Sequence, residues 1–376
     1  MFHQPRPNTQ PKGPAVPSPR QSSPASKFNT TALLIAALII LPAIYFMNGM
    51  MDFDLSERSV TEIGFDHGPD HLSGSLILPN QHHDGPIALI IHGDGPQDRF
   101  SGDGYLPLFN ALLDQNIGIY SWDKAGIGYS SGNWLDQSMK DRATEAVAAL
   151  DMIASKRPQS AGKIGFLGFS QAGWVIPKAA NLTPDNAFGV VIGGAVNWQD
   201  QGAFYTRMRL LAEGKTEPEI SDEIARKQTR DAVIFAPDAT YSTYLETVGQ
   251  DAPAPMTEDR FNFVKRNITA DAKNDLARVT SPILALFGAD DLNVDAKTDF
   301  ATYQSILTGR NAYNEIVLFA DATHGLLRSG LFNYQLAADM PATTQLLFTV
   351  MGRDAYAPGV INKLSAWIGN VTGKAN

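Results

Sequence analysis

Short apolar runs alternate with stretches of helical periodicity along most of the chain after residue 86. The runs are mainly apolar, as expected of strands that are buried on both faces of a sheet. They cover residues 87–91, 117–122, 163–167, 189–192, 283–287 and 315–319. Between them, apolar residues recur at helical spacing, as at Ala146, Leu150 and Ile153. The alternation predicts an α/β fold with a doubly wound, mostly parallel sheet and a ligand site at the carboxyl ends of its strands.

The interval between the fourth and fifth runs is too long to be a loop. It holds almost ninety residues and includes the pattern Thr216-Glu217-Pro218-Glu219, which is typical of a capped helix start. We therefore expect an insertion that contains helices at residues 197–278. Elsewhere, strands are predicted near residues 60–65 and 72–78, and a last helix over residues 358–368. The role of the apolar stretch at residues 340–351 stays open.

The first 51 residues differ in composition from the rest of the chain. Residues 1–27 contain seven prolines, four bases and no acid, which predicts a disordered tail. Residues 28–51 carry no charge and, as a helix, are long enough to span a bilayer, although Pro42 interrupts them. Bases before this segment and acids after it predict a single transmembrane anchor with residues 52–376 exported to the periplasm or outside the cell. A cleaved signal peptide on a secreted protein, and a soluble protein, are the alternatives.

Charge and composition exclude several classes of function. The net charge is −9, from 30 basic and 39 acidic residues, which argues against a nucleic-acid partner. The chain has no cysteine, so disulfides, thiolate zinc sites and a cysteine nucleophile are excluded. The triplet His82-His83-Asp84 has no further ligand at a recognisable spacing and is interpreted as a solvated loop. The sequence predicts neither a metal nor another cofactor.

The stretch KIGFLGFSQAGW at residues 163–174 predicts a buried strand, a tight turn and a helix, with Ser170 in the turn. Gly168 and Ala172 leave little side-chain bulk two positions before and after the serine, so the hydroxyl projects above the sheet. This is the geometry of a nucleophile elbow. For the motif taken alone, the alternative is a serine that caps an ordinary helix.

The last two apolar runs lead to residues that complete a catalytic set. The fifth run leads to Asp290 and Asp291, and the sixth leads to His324, which is the one histidine of seven that follows these acids. The order serine, acid, histidine resembles that of the α/β-hydrolases and differs from that of chymotrypsin-like and subtilisin-like enzymes. The spacing Gly288-x-x-Asp291-x-x-Val294 is similar to the acid turn of that superfamily, so the resemblance selects Asp291 over Asp290.

Two earlier stretches extend the resemblance, which covers roughly residues 61–369. IIHGDGP at residues 90–96 is similar to the strand and turn that supply one oxyanion donor. The resemblance implies that the backbone amides of Gln171 and Asp94 form the oxyanion hole. WDKAGIGYSSG at residues 122–132 is similar to the segment D-x-R-G-x-G-x-S, but Ala125 stands where arginine is usual. In this chain, a different residue must therefore make the contacts that the arginine usually makes.

The side chain of Asp94 conflicts with the role of its amide. A carboxylate beside a developing negative charge opposes catalysis. We therefore expect the Asp94 carboxylate to point away from the site, toward Arg99.

The resemblance implies a serine hydrolase of the esterase and aminopeptidase-like branch, acting on a small acyl substrate. Ser170 is the implied nucleophile, His324 the base and Asp291 the residue that orients the base. A carboxylic ester is the expected substrate. A peptidase, a thioesterase and a non-catalytic, membrane-tethered binding protein are the alternatives.

In the same superfamily an insertion at this point is a cap over the active site, so we interpret residues 197–278 as a cap. Its aromatic residues either line an acyl pocket or form the core of the cap itself. They are Phe204, Tyr205, Tyr241, Tyr244, Phe261 and Phe263.

Overall fold

The computed structural model of the protein describes residues 30–249 and 254–373, together with Met1 and Gly13. The chain divides into two compact units, Met1–Ile44 and Tyr45–Asn376. The predicted tail, residues 1–27, lies outside the described residues except for Met1 and Gly13, and so do the first two residues of the predicted anchor. Helix α1 (Thr30–Met51) covers the remainder of the anchor segment. Across the described ranges, no helix combines the length and the apolar character that crossing a membrane requires.

The described part of the second unit is built on one large sheet and a short two-stranded ribbon. The strands are β1 (Ser59–Glu62), β2 (Phe65–His67), β3 (Asp70–Leu72), β4 (Gly74–Leu78), β5 (Ile87–Ile91), β6 (Gly118–Trp122), β7 (Ile164–Phe169), β8 (Gly189–Ile192), β9 (Ile283–Gly288) and β10 (Glu315–Phe319). The large sheet has the order β1-β4-β6-β5-β7-β8-β9-β10, and β2 pairs with β3. Only β1 and β4 run antiparallel to their neighbours, while the strands from β6 to β10 are parallel. The doubly wound, mostly parallel sheet is confirmed.

Helices pack on both faces of this sheet. Twelve α-helices follow α1 in the described part of the chain. They are α2 (Leu106–Asp114), α3 (Met139–Lys156), α4 (Ala172–Leu182), α5 (Trp198–Ala212), α6 (Glu217–Ile234), α7 (Tyr241–Val248), α8 (Glu258–Asn267), α9 (Lys273–Leu276), α10 (Ala296–Leu307), α11 (Ser329–Phe332), α12 (Ala342–Met351) and α13 (Val360–Gly373). Adjacent residues of one strand enter different cores: Phe166 packs with residues of α3, α4 and α10, and Leu167 packs with residues of α2 and α13. Burial on both faces explains why the central strands of the sheet are mainly apolar.

Five helices, α5 to α9, occupy the described residues of the predicted insertion. Tyr244 and Phe261 are buried with Ile234 in a small core that belongs to these helices. Phe263 joins the main core, where its ring packs against the rings of Trp134 and Trp198. The aromatic residues of α7 and α8 therefore build the insertion and attach it to the sheet-bearing part of the unit.

The structure corrects one predicted strand and assigns one stretch that the sequence left open. The strand predicted at residues 72–78 is divided at Ser73, whose amide donates to Ser130 Oγ and whose carbonyl oxygen accepts from the Asp123 amide. These bonds to a loop replace pairing with a strand, so the chain leaves the small ribbon and enters the large sheet one residue later. The apolar stretch at residues 340–351, whose role the sequence left open, is helix α12.

Candidate active site

Ser170 directly follows β7, and Gln171 separates it from helix α4. Its φ angle of 52° lies in the left-handed region, which residues with a side chain rarely adopt. The Ser170 amide donates to the carbonyl oxygen of Ile192, the last residue of the neighbouring strand β8, at 2.8 Å. The turn therefore holds the serine at the carboxyl edge of the sheet with the strained backbone that a nucleophile elbow would require.

Small residues allow helix α4 to start immediately after this turn. A Cβ atom at Gly168 would lie 2.5 Å from the Cβ atom of Ala172, so the methyl group of Ala172 fits because Gly168 has no side chain. A Cβ atom at Gly173 would lie 2.7 Å from the Cα atom of Gly194. The alanine that departs from the usual G-x-S-x-G pattern is thus compatible with the tight turn.

The structure joins His324 to Asp291 and not to Asp290. His324 Nδ1 lies 2.7 Å from Asp291 Oδ2, and Asp291 Oδ1 accepts hydrogen bonds from the amides of Asn293 and Val294 at 2.7 and 2.9 Å. Asp290 instead accepts a hydrogen bond from the hydroxyl of Ser329. The Asp291 carboxylate is thereby fixed in the orientation that holds Nδ1 of the imidazole protonated.

The imidazole of His324 lies at the end of the strand next to that of Ser170. A Cβ atom at Gly193, the residue after Ile192, would lie 2.9 Å from His324 Nδ1. Burial lowers the pKa of His324, but the charge of Asp291 and its hydrogen bond raise it by more, so the pKa lies above its ordinary value of 6.5. The Ser170 hydroxyl makes no hydrogen bond within the described part of the chain. Such bonds are often formed only when substrate is bound.

The turn after β5 runs beside the elbow. A Cβ atom at Gly93 would lie 3.5 Å from the Cβ atom of Ser170. The backbone amides of Asp94 and Gln171 donate no hydrogen bond to another residue in the ranges described above. Unpaired amides near a half-buried serine hydroxyl are the donors that an oxyanion requires. Their role in this chain remains a prediction.

The Asp94 carboxylate does not point toward Arg99, so this prediction is wrong. It accepts two hydrogen bonds from Arg260 of α8, at 3.0 and 2.7 Å, and one from Gln171 Nε2, at 3.2 Å. Arg99 donates instead to both carboxylate oxygens of Asp123, at 3.0 and 2.8 Å. Because Asp123 is buried, it is the carboxylate that needs the guanidinium of Arg99. Sequence analysis did not single out Arg260.

Lys124, the residue before Ala125, supports the turn after β5. Its Nζ donates to the carbonyl oxygens of Gly93 and Gly95, at 3.1 and 2.9 Å, and lies 4.3 Å from the centre of the Trp134 ring. Burial, together with the nearby charge of Arg142, lowers the pKa of Lys124 well below its ordinary value. The only sequence signal for this role is that Lys124 is the cation adjacent to Ala125.

Arg142 of helix α3 is a second buried cation behind the elbow. Its guanidinium donates to the carbonyl oxygen of His92, at 2.7 Å, and to the side-chain oxygen of Gln171. One side chain thus connects the turn after β5 with the residue that follows Ser170. Nothing in the sequence near Arg142 distinguishes it from any other helical arginine.

The remaining histidine of this region is not a catalytic base. His92 is buried, its Nε2 lies 2.6 Å from the carbonyl oxygen of Trp122, and its ring stacks on that of Tyr105. Burial lowers the pKa of His92 to about 3, so the imidazole is neutral at physiological pH. His83, from the predicted solvated loop, is also buried and lies 3.1 Å from the carbonyl oxygen of Pro86. That part of the loop is therefore packed and not solvated.

A cavity of about 790 Å³ lies within the insertion. Apolar and charged side chains line it, among them Trp198, Tyr244, Met256, Val264, Lys227 and Arg260. Ser170 and His324 are not among the lining residues. Arg260 is one of them, and it also forms an ion pair with Asp94.

Comparison with known proteins gives a result at the level of the fold. No protein-family model matches the sequence, and no curated protein matches it. Solved structures do match. An esterase of Pyrococcus furiosus is 15% identical with a TM-score of 0.53, over 85% of this chain and 95% of that chain, and a second crystal form of it is 16% identical with a TM-score of 0.51, over 85% and 92%.

The protein DcsB, solved with a substrate analogue, is 14% identical to this chain with a TM-score of 0.54. The likeness covers 84% of this chain and 100% of that chain. At sequence identities this low, a structural similarity shows a shared fold and not a shared function. It confirms that this chain has the α/β-hydrolase fold.

Lys124 gives the first testable prediction. Lys124→Met keeps the apolar stem but leaves the carbonyl oxygens of Gly93 and Gly95 without their donor, which should lower the free energy of unfolding by about 1–3 kcal/mol. Urea denaturation of the purified full chain measures this loss. Lys140→Met, at an exposed position of α3, is the matched control and should change it little. Equal effects of the two substitutions would contradict the role given to Lys124.

Proposed function

We propose that this protein, whose chain has the α/β-hydrolase fold, is a serine hydrolase that cleaves a carboxylic ester through an acyl-enzyme. One observation carries the proposal: a hydrogen-bonded Asp291 and His324, a strained Ser170 and two unpaired backbone amides meet at the same edge of the sheet. Strain of this kind persists only where the surrounding structure maintains it, and it is concentrated at functional sites.

In the proposed mechanism His324 Nε2 removes the hydroxyl proton of Ser170 as the serine oxygen attacks the ester carbonyl. The C–O bond to the alcohol then breaks, and the imidazolium returns the proton to the departing alkoxide. Water attacks the acyl-enzyme in the same way, with His324 again as base, which releases the acid and restores Ser170. Asp291 stabilises the imidazolium in both halves of the reaction.

The negative charge that develops on the carbonyl oxygen is assigned to the amides of Gln171 and Asp94. Each such donor is worth about 10²–10³ in rate when its geometry is correct. Lys124 and Arg142 bond to carbonyl groups of the turn after β5, and these bonds support the assignment because they hold the turn that carries the Asp94 amide.

The N-terminal segment supports a further proposal about location. Residues 28–51 are uncharged, and the described residues Leu38, Leu41, Met47 and Met51 are at least 60% exposed. Large apolar side chains with this exposure fit a lipid environment better than water. We propose that this segment attaches the protein to a membrane, with the preceding basic residues on the cytoplasmic side and residues 52–376 exported.

Replacing the nucleophile tests the proposed function. Ser170→Ala should lower ester hydrolysis by about 10⁴–10⁶ and abolish labelling by a fluorophosphonate, with the fold retained. Hydrolysis of p-nitrophenyl esters of increasing acyl length is measured for the full chain, beside a thioester and an amide of the same acyl group. Ser221→Ala, at an exposed position of α6, is the control. If the folded wild type is not labelled and hydrolyses none of these substrates, the proposed activity is wrong and the alternative of a non-catalytic binding protein stays.

The pH dependence tests the pairing of base and acid. His324 acts as a base only when neutral, so kcat/KM should fall as pH decreases through its pKa, with a midpoint above 6.5. Asp291→Asn removes the charge that raises this pKa. The midpoint should therefore move to lower pH, while kcat falls by about 10⁴. Profiles with the same midpoint would assign the acidic limb to another group.

Membrane attachment is tested by introducing charge into the segment. The wild-type protein should remain in the membrane pellet after an alkaline carbonate wash. Leu38→Glu combined with Leu41→Glu should release it, because a charged residue inside a bilayer costs about 2.5–3.5 kcal/mol. Leu182→Glu, which changes an exposed leucine of the other unit, should leave the protein in the membrane pellet. Protease added on the outer side should digest residues 52–376. A wild type that washes off would disprove the attachment.

A further inference from the structure

Gln171 and Asp94, whose amides are assigned to the oxyanion hole, are also joined by a hydrogen bond between their side chains. Gln171 Nε2 donates to Asp94 Oδ1 at 3.2 Å. Arg142 donates to Gln171 Oε1 from one end of this pair, and Arg260 donates to both oxygens of Asp94 from the other. The chain of contacts runs from helix α3 of the sheet-bearing part to helix α8 of the insertion. It passes through both residues whose amides are unpaired.

Charge gives this chain of contacts its importance. Burial raises the pKa of Asp94, but the hydrogen bonds and charge of Arg260, with the charge of Lys124, lower it by more, so the pKa stays below its ordinary value of 3.8. Asp94 is therefore ionised at neutral pH. An ionised carboxylate on the residue whose amide receives an oxyanion opposes catalysis unless a cation compensates it. Lys124 is occupied by two carbonyl oxygens, and Arg260 contacts the carboxylate directly.

Arg260 is held in place by more than this ion pair. Its guanidinium lies 5.8 Å from the centre of the Trp134 ring and 5.1 Å from that of the Phe263 ring. The side chains of Arg260 and Asp94 are 33% and 42% exposed. Ion pairs with this exposure add little to folding stability. A contribution of Arg260 to the fold is therefore small, and its contribution to the electrostatics of the site can be measured separately.

We propose that Arg260 is a positioning residue of the active site. It compensates the charge of Asp94 and, through the bond between Asp94 and Gln171, fixes the relative position of the two oxyanion amides. The insertion then contributes to catalysis through α8, beyond any role in covering the site. This inference rests on the proposed function, since it needs an oxyanion to be stabilised.

The test is a double-mutant cycle on p-nitrophenyl acetate hydrolysis by the full chain. Arg260→Ala should lower kcat by about 10- to 100-fold with a small change in KM, because the uncompensated charge acts on the transition state. In the Asp94→Asn background the same substitution should change kcat by less than about threefold, because no charge remains to be compensated.

Other outcomes overturn the proposal. An equal loss in both backgrounds would mean that Arg260 supports the insertion without acting through Asp94. A change confined to KM would make Arg260 a substrate-binding residue. Arg260→Ala with wild-type kcat would show that the charge of Asp94 has no effect on the site.

A matched control lies on the same helix. Arg266 donates to the carbonyl oxygen of Leu135 at 2.9 Å and so also attaches α8 to the sheet-bearing part, but it does not contact Asp94. Arg266→Ala should leave kcat near the wild-type value. Fluorophosphonate labelling of the wild type separates the two levels of inference. If the wild type is neither labelled nor active, both the proposed function and this inference are wrong. If the wild type is active but the effects of the Arg260 and Asp94 substitutions are independent, only this inference is wrong.

Discussion

The parallel pairing of β5 with β7 is the constraint on which the candidate site depends. Ile91 is paired with Gly168 at the carboxyl end of this ladder, so the chain leaves both strands at the same level of the sheet. A side chain at Gly168 would collide with the Ile91 carbonyl oxygen, at 2.6 Å from its Cβ atom. The absence of that side chain lets the turn carrying Asp94 run beside Ser170. Without this close approach, the two unpaired amides would not share one site.

Two buried cations donate hydrogen bonds to the carbonyl groups of the turn after β5. A turn that directs its amides toward a substrate must direct carbonyl groups elsewhere, and buried carbonyl groups need donors. Lys124 and Arg142 supply these donors to His92, Gly93 and Gly95. Burial opposes the charged form of both cations, and their pKa values are lowered accordingly. For Lys124, the two carbonyl oxygens, the Trp134 ring and the charge of Asp94 offset part of the cost of removing the ammonium group from water.

Much of the fold could be predicted because each strand carries its own signal. Strands buried on both faces are mainly apolar, so six strands are visible as apolar runs in the sequence. The sequence does not separate β3 from β4, because the division at Ser73 arises from bonds to a distant loop. The candidate serine, acid and histidine could be named because their order along the chain resembles that of the α/β-hydrolases, and their catalytic roles are a proposal. The spacing after Gly288 favoured Asp291, which is the acid that bonds to His324 in the structure.

The sequence by itself determined the doubly wound sheet, because the periodicity of each strand and helix is a local pattern. Its resemblance to the α/β-hydrolases predicted the insertion as a cap and selected Ser170, Asp291 and His324 as candidates for nucleophile, acid and base. Only the tertiary structure decided that Asp94 pairs with Arg260, that Lys124 donates to the turn after β5 and that the aromatic residues of α7 and α8 pack into cores. Asp94 and Arg260 are 166 positions apart, and no local pattern records which of several arginines will meet a given carboxylate. That choice depends on how the insertion packs against the sheet, which is a property of the whole fold.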